Sequence, residues 1–195
     1  CKCGVPQGSC LGPLLFLFFI NDLPNATKFF SILFADDTTF QISGANSSDT
    51  FLRANTELKR AEQWFCANKL TLNAKKTRVM VFKSKNQHVH YQDLYLQNNI
   101  IERVGDKCKE NFVRFLGIWI DESLSFSGHL AKLKSKLNSG IYALATCTKV
   151  VPFRIRKIIY HSLFESHLHF GSIIYGSTNT RNLEQIETVQ RKALR

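Results

Sequence analysis

From residue 14 to residue 20 the chain is apolar on every side, Leu14-Leu15-Phe16-Leu17-Phe18-Phe19-Ile20. Unbroken hydrophobicity over two turns predicts a helix buried all round. The glycine-rich turn Gly4-Val5-Pro6-Gln7-Gly8-Ser9 leads into it, with Ser9 as a candidate cap, although Gly12-Pro13 blurs where the helix starts. Asn21-Asp22-Leu23-Pro24-Asn25 breaks it. Two short aromatic and β-branched runs follow, Phe29 to Ala35 and Thr38 to Ile42. They predict a hairpin with Asp36-Asp37 at its tip, a charged point on a buried pair of strands.

The clearest helical pattern runs from Ser47 to Leu70. Ser47 or Ser48 can cap it, and Phe51, Leu52, Asn55, Leu58, Ala61, Glu62 and Phe65 trace one mostly apolar face. Arg78 to Phe82 reads as a strand, Lys83 to Gln92 as a polar loop, and Leu94-Tyr95-Leu96 with Ile100-Ile101 as a small hairpin. Val113 to Ile120 reads as one strand ending at Asp121. Beyond Phe126 the period turns helical, over about 129–147, 153–168 and 180–194, with Pro152 and Gly176 as breaks. The expected class is α+β, an antiparallel sheet with packed helices over residues 1–122 and an all-helical region over 123–195.

Composition adds little until charge is considered. The chain has 195 residues and is 44% hydrophobic and 21% charged, which excludes wholesale disorder and a collagen-like fold. Its net charge is +11, and the excess is uneven: residues 1–50 carry −2 and the remainder +13. An acidic first quarter on a basic chain points to a carboxylate site in a positive surround, with nucleic acid the expected partner ahead of a membrane. A solubilising basic surface is the plain alternative. The seven-residue apolar run is too short to span a bilayer. Of six cysteines only Cys1-x-Cys3 is closely spaced, so reduced thiols and an intracellular, non-secreted location are expected. His167-x-His169 with His161 could suggest a metal, but i and i+2 on a helix do not share a face, so these read as structural or solvent-facing, as do His88 and His90.

Chemistry concentrates at Asp36-Asp37. Adjacent carboxylates repel each other, and a divalent cation relieves the conflict. Mg²⁺ suits such a site because it takes one or two carboxylates together with waters and substrate phosphates. Asp-Asp is also an ordinary turn former, so the pair alone does not decide.

Its neighbours carry more. Phe34-Ala35-Asp36-Asp37 resembles the [FY]-x-D-D box of reverse transcriptases. Gly4-Val5-Pro6-Gln7-Gly8-Ser9-Cys10-Leu11-Gly12-Pro13-Leu14-Leu15-Phe16, with Ile20-Asn21-Asp22-Leu23-Pro24, resembles the block that precedes this box in non-LTR, LINE-type, jockey-like retrotransposon polymerases. Trp64-Phe65, Asn68-Lys69-Leu70, Leu72-Asn73, Lys76-Thr77, Met80 and Phe82 are similar to a further segment of that family. Phe115-Leu116-Gly117-Ile118, with Ile120-Asp121, is similar to its primer-grip strand. The boxes stand in the family's order across nearly the whole chain.

That resemblance implies the C-terminal part of a right-hand palm followed by a thumb, and an RNA-directed DNA polymerase using two Mg²⁺ ions. Asp36 is then the principal metal ligand of the box and Asp37 a weaker one. Gly4, Pro6, Gln7 and Gly8, with Phe34 and Ala35, line the nucleotide and template pocket. Lys76 lies near the triphosphate, as a proton donor to pyrophosphate; a solvated lysine beside Lys75 is the plain alternative. Phe115, Leu116 and Gly117 hold the primer end. Lys132, Lys134, Lys136, Arg154, Arg156 and Lys157 cluster on the thumb helices as expected phosphate contacts. The implied partners are an RNA template, a DNA primer, dNTPs and the upstream part of the same polyprotein, with fingers and an endonuclease. The family's other catalytic Asp lies upstream of the glycine block and is absent here, so the chain alone is expected to be inactive. A non-catalytic remnant that at most binds nucleic acid is the alternative. A group II intron maturase is a second, disfavoured by the Trp64 to Thr77 segment.

Overall fold

The computed structural model describes residues 4–6, 8–84, 87–105, 108–147 and 150–194. Gln7 and the Cys1-x-Cys3 pair lie outside the described residues. The chain groups into two compact units, residues 1–79 with 86–102, and residues 80–85 with 103–195. The second unit thus takes residues 103–122, whereas the palm and thumb regions expected from the sequence divide after 122.

In the first unit, α1 (Gly12–Ile20) is followed by the single turn α2 (Leu23–Ala26), the hairpin β1 (Phe30–Phe34) and β2 (Asp37–Gln41), and the long α3 (Ser47–Ala67). Ile20, Leu23, Ala61 and Phe65 are buried together, with Phe16, Leu33, Phe40, Trp64, Leu70 and Leu72 packed around them. Only one flank of α1 takes part. Leu14, Leu15, Leu17, Phe18 and Phe19 are exposed, Phe18 by 72%, so α1 is not buried all round. Its start also differs: Leu11 is the cap residue, while the Ser9 hydroxyl accepts the Gly12 N–H at 3.1 Å.

α3 is capped by Asn46, whose side chain accepts the Ser48 N–H at 3.0 Å, rather than by Ser47 or Ser48. Phe51, Ala54, Leu58, Ala61 and Phe65 form its buried stripe, and Leu52 points to solvent. The polar residues on that face close backbone hydrogen bonds. Asn55 donates to the Asp93 carbonyl and accepts the Tyr95 N–H, Glu62 accepts the Gln97 N–H, and Ser47 accepts the His90 N–H. They thereby hold β4 (Tyr95–Leu96), which pairs antiparallel with β5 (Asn99–Ile100). Gln97 and Asn98, at φ of 50° and 60°, make the two-residue turn between them, the sign pattern of a type I′ hairpin.

β3 (Arg78–Met80) and β6 (Glu102–Val104) are short strands at which the chain passes between the units. In the second unit, residues 112–121 form a hairpin, β7 (Phe112–Phe115) and β8 (Ile118–Asp121), and not the single strand that the pattern predicts. The reason is local: Leu116 and Gly117 take φ of 44° and 92°, and the chain reverses. α4 (Ser127–Cys147), α5 (Phe153–Tyr160), a π-helical turn over His161–Glu165, α6 (Ser166–His169), α7 (Ser172–Tyr175) and α8 (Thr180–Ala193) follow. Leu130, Leu133 and Leu137 of α4 form the core with Ile118, Phe126, Phe164, Tyr175, Ile186 and Val189.

Asp121 joins β8 to α4. One carboxylate oxygen accepts the Phe126 N–H at 2.8 Å; the other accepts the Ser125 N–H at 3.0 Å and the Ser123 hydroxyl at 2.5 Å. Burial raises its pKa, but the hydrogen bonds from Ser123, Ser125 and Phe126 together outweigh burial and hold it below the usual carboxylate value. A group whose folded pKa is depressed stabilises the fold above its unfolded pKa of about 3.9, and that contribution is lost as pH falls through the folded pKa. Asp121→Asn is therefore expected to cost about 1.5–3 kcal/mol at pH 7. In urea titrations the gap to the parent should shrink at pH 3, and an equal gap at both pH values would contradict the charge argument.

Candidate active site

Ala35 and Asp36 are the whole connection between β1 and β2, and Phe34 pairs directly with Asp37. Ala35 has φ of 51° while Asp36 stays out of the positive-φ region, the sign pattern of a type II′ turn. Asp36 thus occupies the turn, and Asp37 is the first residue of β2. Both side chains are exposed. The alternation of the strands explains the rest. Leu33 and Phe40 turn to the core, and Phe40 stacks on Phe29 with ring centroids 4.9 Å apart. Phe30, Ile32 and Phe34 face away from it, Phe34 being 61% exposed. The hairpin is buried on one face only, which corrects the expectation of a buried pair of strands. Paired residues share a face, so Asp37 stands beside Phe34 on the open side.

The entry to β1 is fixed by a residue that the sequence pattern does not single out. Glu57 of α3 is 5% exposed, accepts the Lys28 N–H at 2.8 Å and binds the Arg60 guanidinium at 2.9 Å. A charged residue in the middle of the apolar stripe of α3 is the signal that could have found it.

The glycine block is an open loop. Gly4 and Gly8 have φ of 92° and 83°, and a Cβ on either would meet nothing within 4 Å. Gly4, Pro6 and Gly8 are exposed. The segment from Trp64 to Thr77 is built largely for structure. Trp64, Leu70 and Leu72 pack on the core, the Asn68 side chain donates to the Trp64 carbonyl, and Asn73 organises the turn by accepting the Lys76 N–H. The Lys76 side chain is exposed and stands in ion-pair contact with neither Asp36 nor Asp37.

In the second unit, Phe115, Leu116 and Gly117 form the end of the β7–β8 hairpin. Gly117 lies against Phe170, where an added Cβ would come within 3.0 Å of the ring. The lysines of α4 do not act as one row. Lys132 stands over the Trp119 ring at 2.9 Å, Lys134 reaches Gln185 at 3.4 Å, and Lys136 lines an open groove. On α5, Arg154 and Lys157 are exposed. Arg156 is half-buried, with a buried Nε and its guanidinium 5.7 Å from the Phe153 ring.

No group of three or more metal-ligating side chains occurs among the described residues. The hard oxygen donors of Asp36 and Asp37 fit Mg²⁺ as part of a ligand set. The described cysteines Cys10, Cys66, Cys108 and Cys147 are free thiols. No helix among the described residues is long and apolar enough to cross a membrane.

Residues 1–120 match the reverse transcriptase (RNA-dependent DNA polymerase) family, and the chain belongs to that family. It is 26% identical over 208 residues to the RNA-directed DNA polymerase from mobile element jockey of Drosophila melanogaster, covering 98% of this chain and 21% of that protein. Against the "Probable RNA-directed DNA polymerase from transposon X-element" of the same species the identity is 23% over 200 residues, covering 98% of this chain and 21% of that protein. The retrovirus-related Pol polyprotein from type-1 retrotransposable element R1 of Bradysia coprophila is 27% identical over 186 residues, covering 90% of this chain and 17% of the polyprotein. The chain therefore spans about a fifth of the length of these curated relatives. No solved structure matches it.

A Cβ at residue 117 meets two costs, a left-handed backbone and the Phe170 ring. Gly117→Ala is expected to lower stability by at least about 1–2 kcal/mol. The urea midpoint measures this, and an unchanged midpoint would mean that the hairpin end is not held as described.

Proposed function

We propose that the chain is the C-terminal part of the palm and the thumb of an RNA-directed DNA polymerase of a non-LTR retrotransposon. The parent protein extends a DNA primer on an RNA template, using dNTPs. The observation that carries this reading is the Phe34-Ala35-Asp36-Asp37 turn, two adjacent carboxylates on the open end of a hairpin in a chain of this family.

Asp36 and Asp37 would hold Mg²⁺, which when bound supplies positive charge for the phosphoryl oxygens in transfer. Two ions need a further carboxylate, which this reading places on an upstream strand of the parent. Asp36, in the turn, is the principal ligand, and Asp37 assists from the start of β2. In the reaction the primer 3′-hydroxyl gives its proton to water, its oxygen bonds to the α-phosphorus and the bond to pyrophosphate breaks; Lys76 gives the departing pyrophosphate a proton and regains one from water. Gly4, Pro6, Gln7 and Gly8, with Phe34 and Ala35, border the nucleotide and template. An open loop at Gly4 and Gly8 suits close approach of a base pair. Phe115, Leu116 and Gly117 position the primer end, on a hairpin held by the thumb residue Phe170. The exposed apolar faces of α1 and β1 have the character of interfaces, and we assign them to the upstream part of the same polyprotein. The protein works inside the cell, in cytoplasm and nucleus.

In the full-length parent, Asp36→Asn should abolish dNTP incorporation in a primer-extension assay and leave the unfolding transition in place. It removes ligand charge without changing shape. The 195-residue chain alone should extend no primer with Mg²⁺ present, and extension by it would overturn the need for an upstream ligand.

The exposed cations of α5 should contact phosphates without regard to sequence. Replacing Arg154 and Lys157 by Ala is expected to flatten the slope of log K against log[salt] for duplex DNA by about two units, equally for different sequences. An unchanged slope would remove α5 from the nucleic-acid surface and leave the Asp-box assignment standing.

A further inference from the structure

The first turns of α4 clasp the β7–β8 hairpin at three points. Gly128 lies against Phe112 of β7, where an added Cβ would come within 2.5 Å of the ring, so helix and strand touch there. The next residue, His129, is 7% exposed, and its Nδ1 accepts the Trp119 N–H of β8 at 3.4 Å. Lys132, one turn further on the same face, stands over the Trp119 ring. Trp119 lies opposite Arg114, and bonded and non-bonded pairs alternate along an antiparallel ladder. Its N–H points out of the pair, so His129 supplies a partner that β7 does not. Trp119 is two residues beyond Gly117, which puts the clasp directly behind the hairpin end.

This arrangement fixes the state of the imidazole. An Nδ1 that accepts an N–H is unprotonated, so the neutral ring carries its proton on Nε2. Nε2 is buried and has no hydrogen-bond partner among the described residues. The Tyr175 ring packs against His129 with centroids 5.3 Å apart, but its hydroxyl donates to the Leu168 carbonyl.

We infer that His129 is a positioning residue for the primer-end hairpin and acts as a proton-sensitive catch: neutral, it ties Trp119 of β8 to α4, and protonated at Nδ1 it lets go. The inference rests on the assignment of Phe115, Leu116 and Gly117 to the primer end. Release follows from counting donors and acceptors. With both ring nitrogens protonated, Nδ1–H faces the Trp119 N–H, and neither has an acceptor. Among the described residues, the charged and titratable groups on the elements around the ring are Lys132, Lys134 and Lys136 on α4, Arg114, Asp121 and Glu122 on or beside the hairpin, and the Tyr175 phenol on α7. The Asp121 carboxylate is taken up by Ser123, Ser125 and Phe126, and Glu122 pairs with Lys83. The lysines of α4 oppose a further positive charge. Burial first, and the charge of Lys136 second, hold the His129 pKa below its ordinary value. The unfolded chain therefore takes up this proton near pH 6.5 and the folded chain only at lower pH. The hold is whole above about pH 6.5 and is lost as pH falls through the folded pKa. Asp121 titrates below this window, so the two effects separate.

The first measurement is hydrogen exchange of the 195-residue chain by NMR, read as the protection factor of the Trp119 amide so that the intrinsic pH dependence cancels. Protection should fall about ten-fold between pH 7 and pH 5, while the Tyr95 amide, held by Asn55 in the other unit, keeps its protection. Unchanged protection at Trp119 overturns the catch, and this result needs no variant to fold. The second measurement is single-nucleotide primer extension by the full-length parent at pH 7.5. His129→Phe fills the space without an acceptor and should lower kcat about ten-fold, with the KM for primer–template within about two-fold of the parent. His129→Asn, which puts an oxygen about where Nδ1 stands and does not titrate, should recover most of that loss. Equal losses in the two variants, or none in His129→Phe, would overturn the positioning role and leave the polymerase reading intact. No extension by the parent itself would overturn the polymerase reading, and the positioning role with it.

Discussion

Everything proposed for the first unit depends on one-sided packing of the β1–β2 hairpin. Leu33 and Phe40 are its anchors, seated on the cluster of Ile20, Leu23, Ala61 and Phe65. A strand alternates its side chains, so anchoring one face turns the other outward. That is what puts Asp37 beside Phe34 on the open side and leaves Asp36 in the turn. A two-stranded hairpin is marginal by itself, so the carboxylates owe their position to α3 as much as to the strands. Glu57 makes the dependence explicit: a buried carboxylate on α3 grips the backbone at Lys28, two residues before β1 begins.

The second unit follows a similar rule with different parts. Its hairpin, β7–β8, is fastened at both ends. Gly117 and Gly171 allow the turn at 116–117 and the turn at 170–171 to approach closely, since a side chain at either would strike Phe170 or Ile118. Asp121 fastens the other end to the first turn of α4. A buried carboxylate that accepts three hydrogen bonds is costly to lose, so the joint between hairpin and helix is stiff. The residues proposed to hold a primer end stand on this joint, while the cations proposed to meet phosphates stand on the helices beyond it.

Many residues that carry the family resemblance are structural. Trp64, Leu70 and Leu72 pack the core, Asn68 closes the C-terminal turn of α3, and Asn73 shapes the turn that leads to Lys76. The folded chain does not place Lys76 beside the aspartates, and its role rests on the family reading. The basic residues also sort unequally. Lys132 is engaged with Trp119 and Lys134 with Gln185, while Lys136 faces a groove. Charge counted along the sequence treats these lysines alike, whereas the helix distributes positions 132, 134 and 136 over different neighbours.

What the sequence by itself determined was local. The Asp hairpin, the span of α3, the Tyr95–Ile100 hairpin and the long helix from Ser127 were legible from period and turn residues, and the order of boxes pointed to the family that residues 1–120 match. Each of those signals arises within a few residues of the chain, where alternation, helical period and left-handed turns act. Tertiary structure decided the rest. It left most of α1 exposed, because only one flank meets α3, and it held the local reversal at Leu116 and Gly117 by seating Gly117 against Phe170. Asn55, Glu57 and Glu62 gained purpose only once β4 and the start of β1 came to lie on α3. Lys136 and His167 met across a groove only because Gly140 lets two helical segments touch. Burial and juxtaposition depend on partners remote in the chain, and no local pattern of hydrophobic and polar residues encodes which partner arrives.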